Sequence, residues 1–181
     1  VAGVGVLDDH QDLSTRSRVL MHIIAVSVVV IFDSMVLNSL GSIFGLGELK
    51  LHTWAIFFTV FSIIGVMNAI NMSDGIDGLS GFLSLIPLLF ISYFSYIGGH
   101  ADYLMVALIV CAALVSFLLF NLGVFGKSRK VFMGDAGTTL LGLIIAVLFI
   151  KLSQGPNPAY SPVTALWLLA VPLIDTFAIM L

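Results

Sequence analysis

Charged side chains are the scarcest class in this chain: seven Lys and Arg and ten Asp and Glu, 9% of 181 residues. A soluble domain normally covers about a quarter or more of its surface with charge, so a water-soluble globule is excluded. Cysteine is nearly absent. The single Cys111 lies inside an apolar run, which rules out an internal disulfide and leaves a thiolate metal site without ligands. Short alternating apolar segments of the kind that build a β-barrel are also missing. The chain has no internal repeat, no low-complexity tract and no linker, so residues 1–181 are read as one membrane-embedded domain. No signal peptide is visible. The first residue is not Met and both ends fall in apolar stretches, so an internal fragment of a longer chain is expected.

What the chain has in quantity is apolar surface. Hydrophobic residues make up 60% of it and the mean hydropathy is +1.16. Several apolar runs approach or exceed the ~18 residues that suggest a membrane span. The expected fold is an all-α polytopic membrane protein with about six transmembrane helices plus the end of a seventh. The spans are predicted near 19–37, 52–69, 79–97, 103–122, 136–150 and 163–181, with residues 1–7 closing the seventh.

Against that background one polar stretch stands out. Asn68-Ala-Ile-Asn71-Met-Ser-Asp74-Gly-Ile-Asp77-Gly-Leu79 joins two apolar runs and holds two Asn and two Asp, each three residues from the next. Helical spacing would bring neighbours in that series together. A carboxylate at bilayer depth costs at least about 2.5–3.5 kcal/mol and normally faces a polar cavity or a partner. A tight polar turn would use the same residue types, so the stretch alone does not decide between a turn and a site.

The other loops sharpen the choice. If loops alternate across the membrane, those at 8–18, 71–78 and 123–135 share one side. They carry Arg16, Arg18, Lys127, Arg129 and Lys130, against Lys50 and Lys151 opposite. Basic excess marks the cytoplasmic side. The same side holds Asp8, Asp9, Asp12, Asp74, Asp77 and Asp135. Acidic residues contribute little to topology, so their gathering is independent information. Carboxylates beside a basic loop suit Mg²⁺ with a phosphorylated ligand, because Mg²⁺ takes one or two carboxylates, waters and phosphate oxygens. Lys127, Arg129 and Lys130 would then face a diphosphate. Each motif also has a plainer reading: Asp8-Asp9 as a solvated loop, Asp135 as a helix N-cap, and the basic trio as a topology or lipid-headgroup signal.

Leu7-Asp8-Asp9, the 68–79 stretch, and Val131-Phe132-Met133-Gly134-Asp135-Ala136-Gly137 occur in the order of the polyprenyl-phosphate N-acetylhexosamine-1-phosphate transferases, glycosyltransferase family 4, which the chain resembles along nearly its whole length. It is most similar to the bacterial branch that loads N-acetylglucosamine-1-phosphate onto undecaprenyl phosphate, and 161–167 with 172–175 share that likeness. The resemblance implies transfer from UDP-GlcNAc with release of UMP. The lipid-diphosphate-sugar formed initiates cell-surface polysaccharide, such as the O antigen of lipopolysaccharide. It implies Mg²⁺ (or Mn²⁺) bound by Asp135 with Asp8 and Asp9, the latter two flanking the attacking phosphate. It also implies a nucleotide pocket of Asn68, Asn71, Asp74 and Asp77 supported by Asn121, with Phe132 stacking on uracil. The implied setting is the bacterial inner membrane, with the site on the cytoplasmic face. The expected partners are UDP-GlcNAc, undecaprenyl phosphate and the bilayer, with a homodimer as an option and no nucleic acid.

The family's His-rich loop after the last span does not occur within these residues, and His10, His22, His52 and His100 do not replace it; they read as loop, core or interface residues. Asp33 reads as a paired structural residue, and Asp175 as a candidate support for that loop. Three alternatives stay open. The sister branch is phospho-MurNAc-pentapeptide transferase. Asp8-Asp9-x-x-Asp12 also resembles the diphosphate-binding signature of intramembrane prenyltransferases. An ion-coupled transporter is the non-enzyme alternative, though transporter carboxylates usually lie near the midplane.

Overall fold

A computed structural model describes residues 1, 3, 15–42, 47–155 and 157–180. With no water in the bilayer core, each spanning segment must satisfy its backbone internally, and the long apolar runs do so as helices. These are α1 (Thr15–Phe32), α2 (Ala55–Met72), α3 (Leu79–Ile97), α4 (Ala101–Asn121), α5 (Gly134–Ser153), α6 (Pro162–Leu168) and α7 (Ala170–Met180). Among the described residues, four helices are long and apolar enough to cross a membrane: α2 with its leading 3₁₀ turn His52–Trp54, α3, α4 and α5. The protein is an all-helical, polytopic membrane protein.

The first and last predicted spans differ from expectation. The helix expected over 19–37 stops at Phe32, because Asp33 follows and its carboxylate pairs with Lys151 at 2.7 Å. The span expected over 163–181 breaks at Leu169 into α6 and α7. Pro172 supplies the reason. It has no N–H to give to the carbonyl of Leu168, and its ring crowds that carbonyl.

α5 is the hub. Its span is 61% buried, whereas that of α4 is only 22% buried, so α5 lies inside the bundle and α4 keeps a broad apolar face outward. Met105, Leu108, Ile109 and Val115 lie on that exposed face, as expected of side chains against lipid tails. α2 packs along α5 and α3 along α4, while α1 and α7 lean on α2 and α3 touches α5. The core between them is formed by Ile63, Met67 and Ile70 of α2, Leu88 and Ile91 of α3, and Ile145 and Leu152 of α5.

One close approach fixes the α2–α5 pair. A Cβ built on Gly142 would sit 2.6 Å from Met67 Cα and 3.3 Å from the Val66 carbonyl oxygen. Only glycine lets the two backbones come this near, the small-residue packing that membrane helices use in place of a hydrophobic driving force.

At one end of the bundle the chain between α1 and α2 folds back on itself. Leu40 N–H donates to Leu49 O at 2.9 Å and Leu49 N–H to Gly41 O at 3.1 Å, around an antiparallel Ser39–Lys50 bridge. Gln154, just past α5, holds this hairpin. Its Oε1 accepts from Asn38 N–H at 3.1 Å and its Nε2 donates to Ser39 O at 3.0 Å. The opposite end carries the polar site.

Candidate active site

Asp135 lies in the first turn of α5, not at its cap. The cap position is Met133, which makes no side-chain capping bond. The carboxylate is therefore free of the plain capping role, and it sits where the helix dipole favours negative charge. Its two oxygens are held from two other helices. Oδ2 accepts from Arg18 Nη1 of α1 at 2.7 Å, and Oδ1 accepts from Asn71 Nδ2 of α2 at 2.9 Å. Asn71 Nδ2 also reaches Thr138 Oγ1 at 2.8 Å, one turn further along α5. Arg18 and Asp135 are partly exposed, at 31% and 37% of their side-chain surface.

Asn71 and Asp135 come from two motifs 64 residues apart, and helix packing delivers them to each other. Asn71 lies one turn from Met67 on α2, and Thr138, which Asn71 also reaches, lies one turn from Gly142 on α5. The tight crossing thus sets the distance between the two polar groups.

The loop between α2 and α3 holds the other carboxylates. Asp74 Oδ1 accepts from Ser80 Oγ at 2.5 Å, and Asp77 pairs with Lys130. Gly78 ends the loop with φ +80°, a left-handed conformation that glycine takes without steric cost. Its N–H donates to Asn121 Oδ1 at 2.6 Å. Asn121 Nδ2 in turn donates to Val131 O at 2.8 Å. Asn121 is buried, with both ends of its amide on backbone. It clamps the 73–78 loop to the segment that leads through Phe132 to Asp135, supporting the site without opening onto it.

Phe132 stands 77% exposed at this mouth, and Lys127 and Arg129 form an exposed 3₁₀ turn beside it. Asn68 is half-buried one turn before Asn71. Asp8 and Asp9, expected to complete the site, and Asp12 lie outside the described residues. Asp33 is the structural ion pair already noted, and Asp175 is exposed on α7. Of the histidines, His22 is buried in α1, His52 is exposed in its 3₁₀ turn and His100 packs near Tyr103.

Sequence reasoning used Arg18 only as a topology signal and missed it as a partner of Asp135. Thr138 and Ser80 were missed too. Nothing in spacing announces a contact across 117 residues, although a second cation at the start of an apolar run was a usable cue.

Among the described residues no three His, Cys, Asp or Glu side chains gather closely enough to cage a metal. Asp135 is partly exposed, with one oxygen beside the neutral Asn71 amide and the other on Arg18. Mg²⁺ bound through one or two carboxylates and substrate oxygens, rather than an all-protein cage, suits it once Arg18 moves aside. A cavity of about 250 Å³ lies between α2, α5, α6 and α7. Leu37, Phe58, Phe149 and Leu166 line it, with Ser62 and Ser153 as its polar side chains. It lies towards the hairpin end of the bundle and has no group for phosphate chemistry.

The chain is similar to known proteins along most of its length. The profile described as glycosyl transferase family 4 matches residues 1–153. The chain is 40% identical over 177 residues to the undecaprenyl-phosphate alpha-N-acetylglucosaminyl 1-phosphate transferase of Salmonella typhi, covering 98% of this chain and 48% of that protein. It is 39% identical to the proteins of the same name from Escherichia coli K12 and Haemophilus influenzae, covering 48% and 50% of them. The chain spans about half the length of these relatives. With the family profile matched over most of its length, and with two polar stretches inside the matched region meeting at Asp135, the chain belongs to glycosyl transferase family 4.

Proposed function

We propose that this chain carries the catalytic part of a bacterial inner-membrane transferase that moves GlcNAc-1-phosphate from UDP-GlcNAc to undecaprenyl phosphate. The observation that carries the reading is the convergence on Asp135: Asn71 from the 68–79 motif holds one oxygen, and Arg18, from the helix that follows Asp8-Asp9, holds the other. Names borne by the relatives point to the same donor group and lipid acceptor.

In the reaction a phosphate oxygen of undecaprenyl phosphate attacks the β-phosphorus of UDP-GlcNAc. The bond from that phosphorus to the bridging oxygen breaks, UMP leaves with the bridging oxygen, and undecaprenyl-diphospho-GlcNAc remains to begin a surface polysaccharide. Transfers of this kind rest on positioning and charge stabilisation. A phosphate monoester with a second pKa near ~6 is largely dianionic at neutral pH, so direct attack needs little help from a base. Asp8 and Asp9 then position the acceptor rather than deprotonate it. Asp135, with Asp8 and Asp9, would hold Mg²⁺. When bound, the ion neutralises the diphosphate oxygens and the charge that develops on them. Asn68, Asn71, Asp74 and Asp77 border the nucleotide pocket, Phe132 offers its exposed ring to uracil, and Lys127, Arg129 and Lys130 supply positive charge at the mouth. Asn121 keeps the two loops in register. The site faces the cytoplasm, on the side of the basic excess.

The test uses the full-length protein with labelled UDP-GlcNAc and undecaprenyl phosphate. Asp135→Asn keeps the shape and removes the charge, so transfer should be lost while the protein still folds. Wild-type turnover in that variant would take Asp135 out of the site. A product carrying MurNAc-pentapeptide from the corresponding UDP donor would move the chain to the sister branch. Turnover of a prenyl diphosphate would make it a prenyltransferase.

A further inference from the structure

We propose that Arg18 competes with the divalent cation for Asp135, so that the carboxylate passes to the metal together with the diphosphate and not before it. This rests on Asp135 being a metal ligand, as proposed above. Arg18 Nη1 lies 2.7 Å from Asp135 Oδ2, a charge-assisted bond on an oxygen that a metal would use. A divalent cation cannot bind there beside a guanidinium without strong like-charge repulsion. One must displace the other.

Three features suit an exchange rather than a permanent lock. Both side chains are partly open to solvent, so the guanidinium has somewhere to go. The other oxygen is held by Asn71, a neutral donor that does not repel a cation. Asn71 is itself anchored on Thr138 Oγ1, which in turn sits against the Gly134 and Asp135 carbonyl oxygens at 3.1 and 3.2 Å. Asp135 therefore keeps its place on α5 when Arg18 leaves.

The charge balance gives the exchange its order. A metal ion alone would gain the Asp135 oxygen but meet the displaced cation close by. A metal ion arriving with a diphosphate brings anionic oxygens that offset both positive charges. Metal and nucleotide should consequently bind with positive coupling, and Arg18 is a positioning residue that produces part of it.

The experiment is Mn²⁺ binding to the purified full-length protein, by electron paramagnetic resonance and calorimetry, with and without UDP. The wild type should bind Mn²⁺ weakly alone and more tightly with UDP. Arg18→Gln should bind Mn²⁺ alone about tenfold more tightly, with the enhancement by UDP reduced correspondingly, a coupling within the ordinary range between linked sites. Arg18→Lys keeps the charge, so it should retain most of the coupling; it also serves if the glutamine variant folds poorly. Unchanged or weaker Mn²⁺ binding in folded Arg18→Gln, or loss of the coupling in Arg18→Lys, overturns the inference. Asp135→Asn separates the two levels. If it still binds Mn²⁺ like the wild type, the metal reading itself falls. If it loses Mn²⁺ while Arg18→Gln gains nothing, only the competition falls.

Discussion

Exposure leaves the Phe132 ring open to a ligand, the role proposed for it. In a bundle where apolar side chains pack inward or against lipid, this ring stands open at the polar end, three residues before Asp135. Phe132→Ala should weaken UDP-GlcNAc binding far more than lipid binding, since one lost base-stacking contact costs about 1–3 kcal/mol on nucleic-acid platforms. Steady-state kinetics with each substrate varied in turn checks this, and an unchanged nucleotide KM would remove Phe132 from the pocket. The polar residues were legible for a simple reason: a carboxylate in a chain this poor in charge is costly unless something uses it. What could not be read was the partner of each one. Asn121 reads from the sequence as a support for the pocket, but that its amide would lie on Gly78 and Val131 is set by how α3 and α4 pack and by nothing local. Arg18 on Asp135 is the same kind of omission, a pairing made by tertiary structure alone.

Among the helices, the middle ones followed from hydropathy closely. Residues 79–97 were predicted and found without change, and α2 and α4 moved by a few residues at their ends. The misplaced boundaries were those where a side chain overrode an apolar run, Asp33 at the end of α1 and Pro172 at the break after Leu168. Both residues were visible in the sequence; their effect depended on a partner or on backbone geometry. Gly142 carries the strongest prediction at this scale. A methyl there meets Met67 backbone at 2.6 Å, and backbone cannot turn aside as a side chain can. Gly142→Ala should force α2 from α5, costing about 1–3 kcal/mol as overpacking does, and should lower activity because Asn71 and Thr138 lie one turn away. Gly81→Ala is the control: its methyl would be equally close, at 2.6 Å, but to Leu118 Cδ2, the end of a flexible side chain. Thermal unfolding in detergent should show a clear loss for the first and a smaller one for the second. Equal losses would mean that the α2–α5 crossing is not what holds the site together.

The whole molecule has two polar ends with different chemistry, and the two sets of contacts divide cleanly between them. Arg18, Asn71, Asp77, Asn121, Lys130 and Asp135 are linked at one end, while Asp33, Lys151, Gln154 and the 38–50 hairpin are linked at the other. That separation is what loop alternation predicted, and it bears on the site because the proposed transfer needs one face to receive both the nucleotide sugar and the lipid phosphate. In the proposed reading the basic excess puts the site end in the cytoplasm. Single cysteines in the full-length protein, with Cys111 replaced by Ser, provide the test. Gly75 and Ser128 are exposed at the site end, and Ser42 and Asn157 are exposed at the other. Cysteines at 75 and 128 should react with a membrane-impermeant maleimide only after the cytoplasmic face is opened, and those at 42 and 157 should react in intact spheroplasts. A missed or extra crossing would reverse every loop beyond it, so four positions on three connections and the outer hairpin leave little room for compensating errors. If 75 and 128 labelled from opposite faces, Asp77 and Lys130 could not share an ion pair and the arrangement of α2 to α5 would be wrong. If all four labelled in the reverse sense, the bundle would stand but its site would open away from the cytoplasm, and the proposed transfer from a cytoplasmic nucleotide sugar could not occur there.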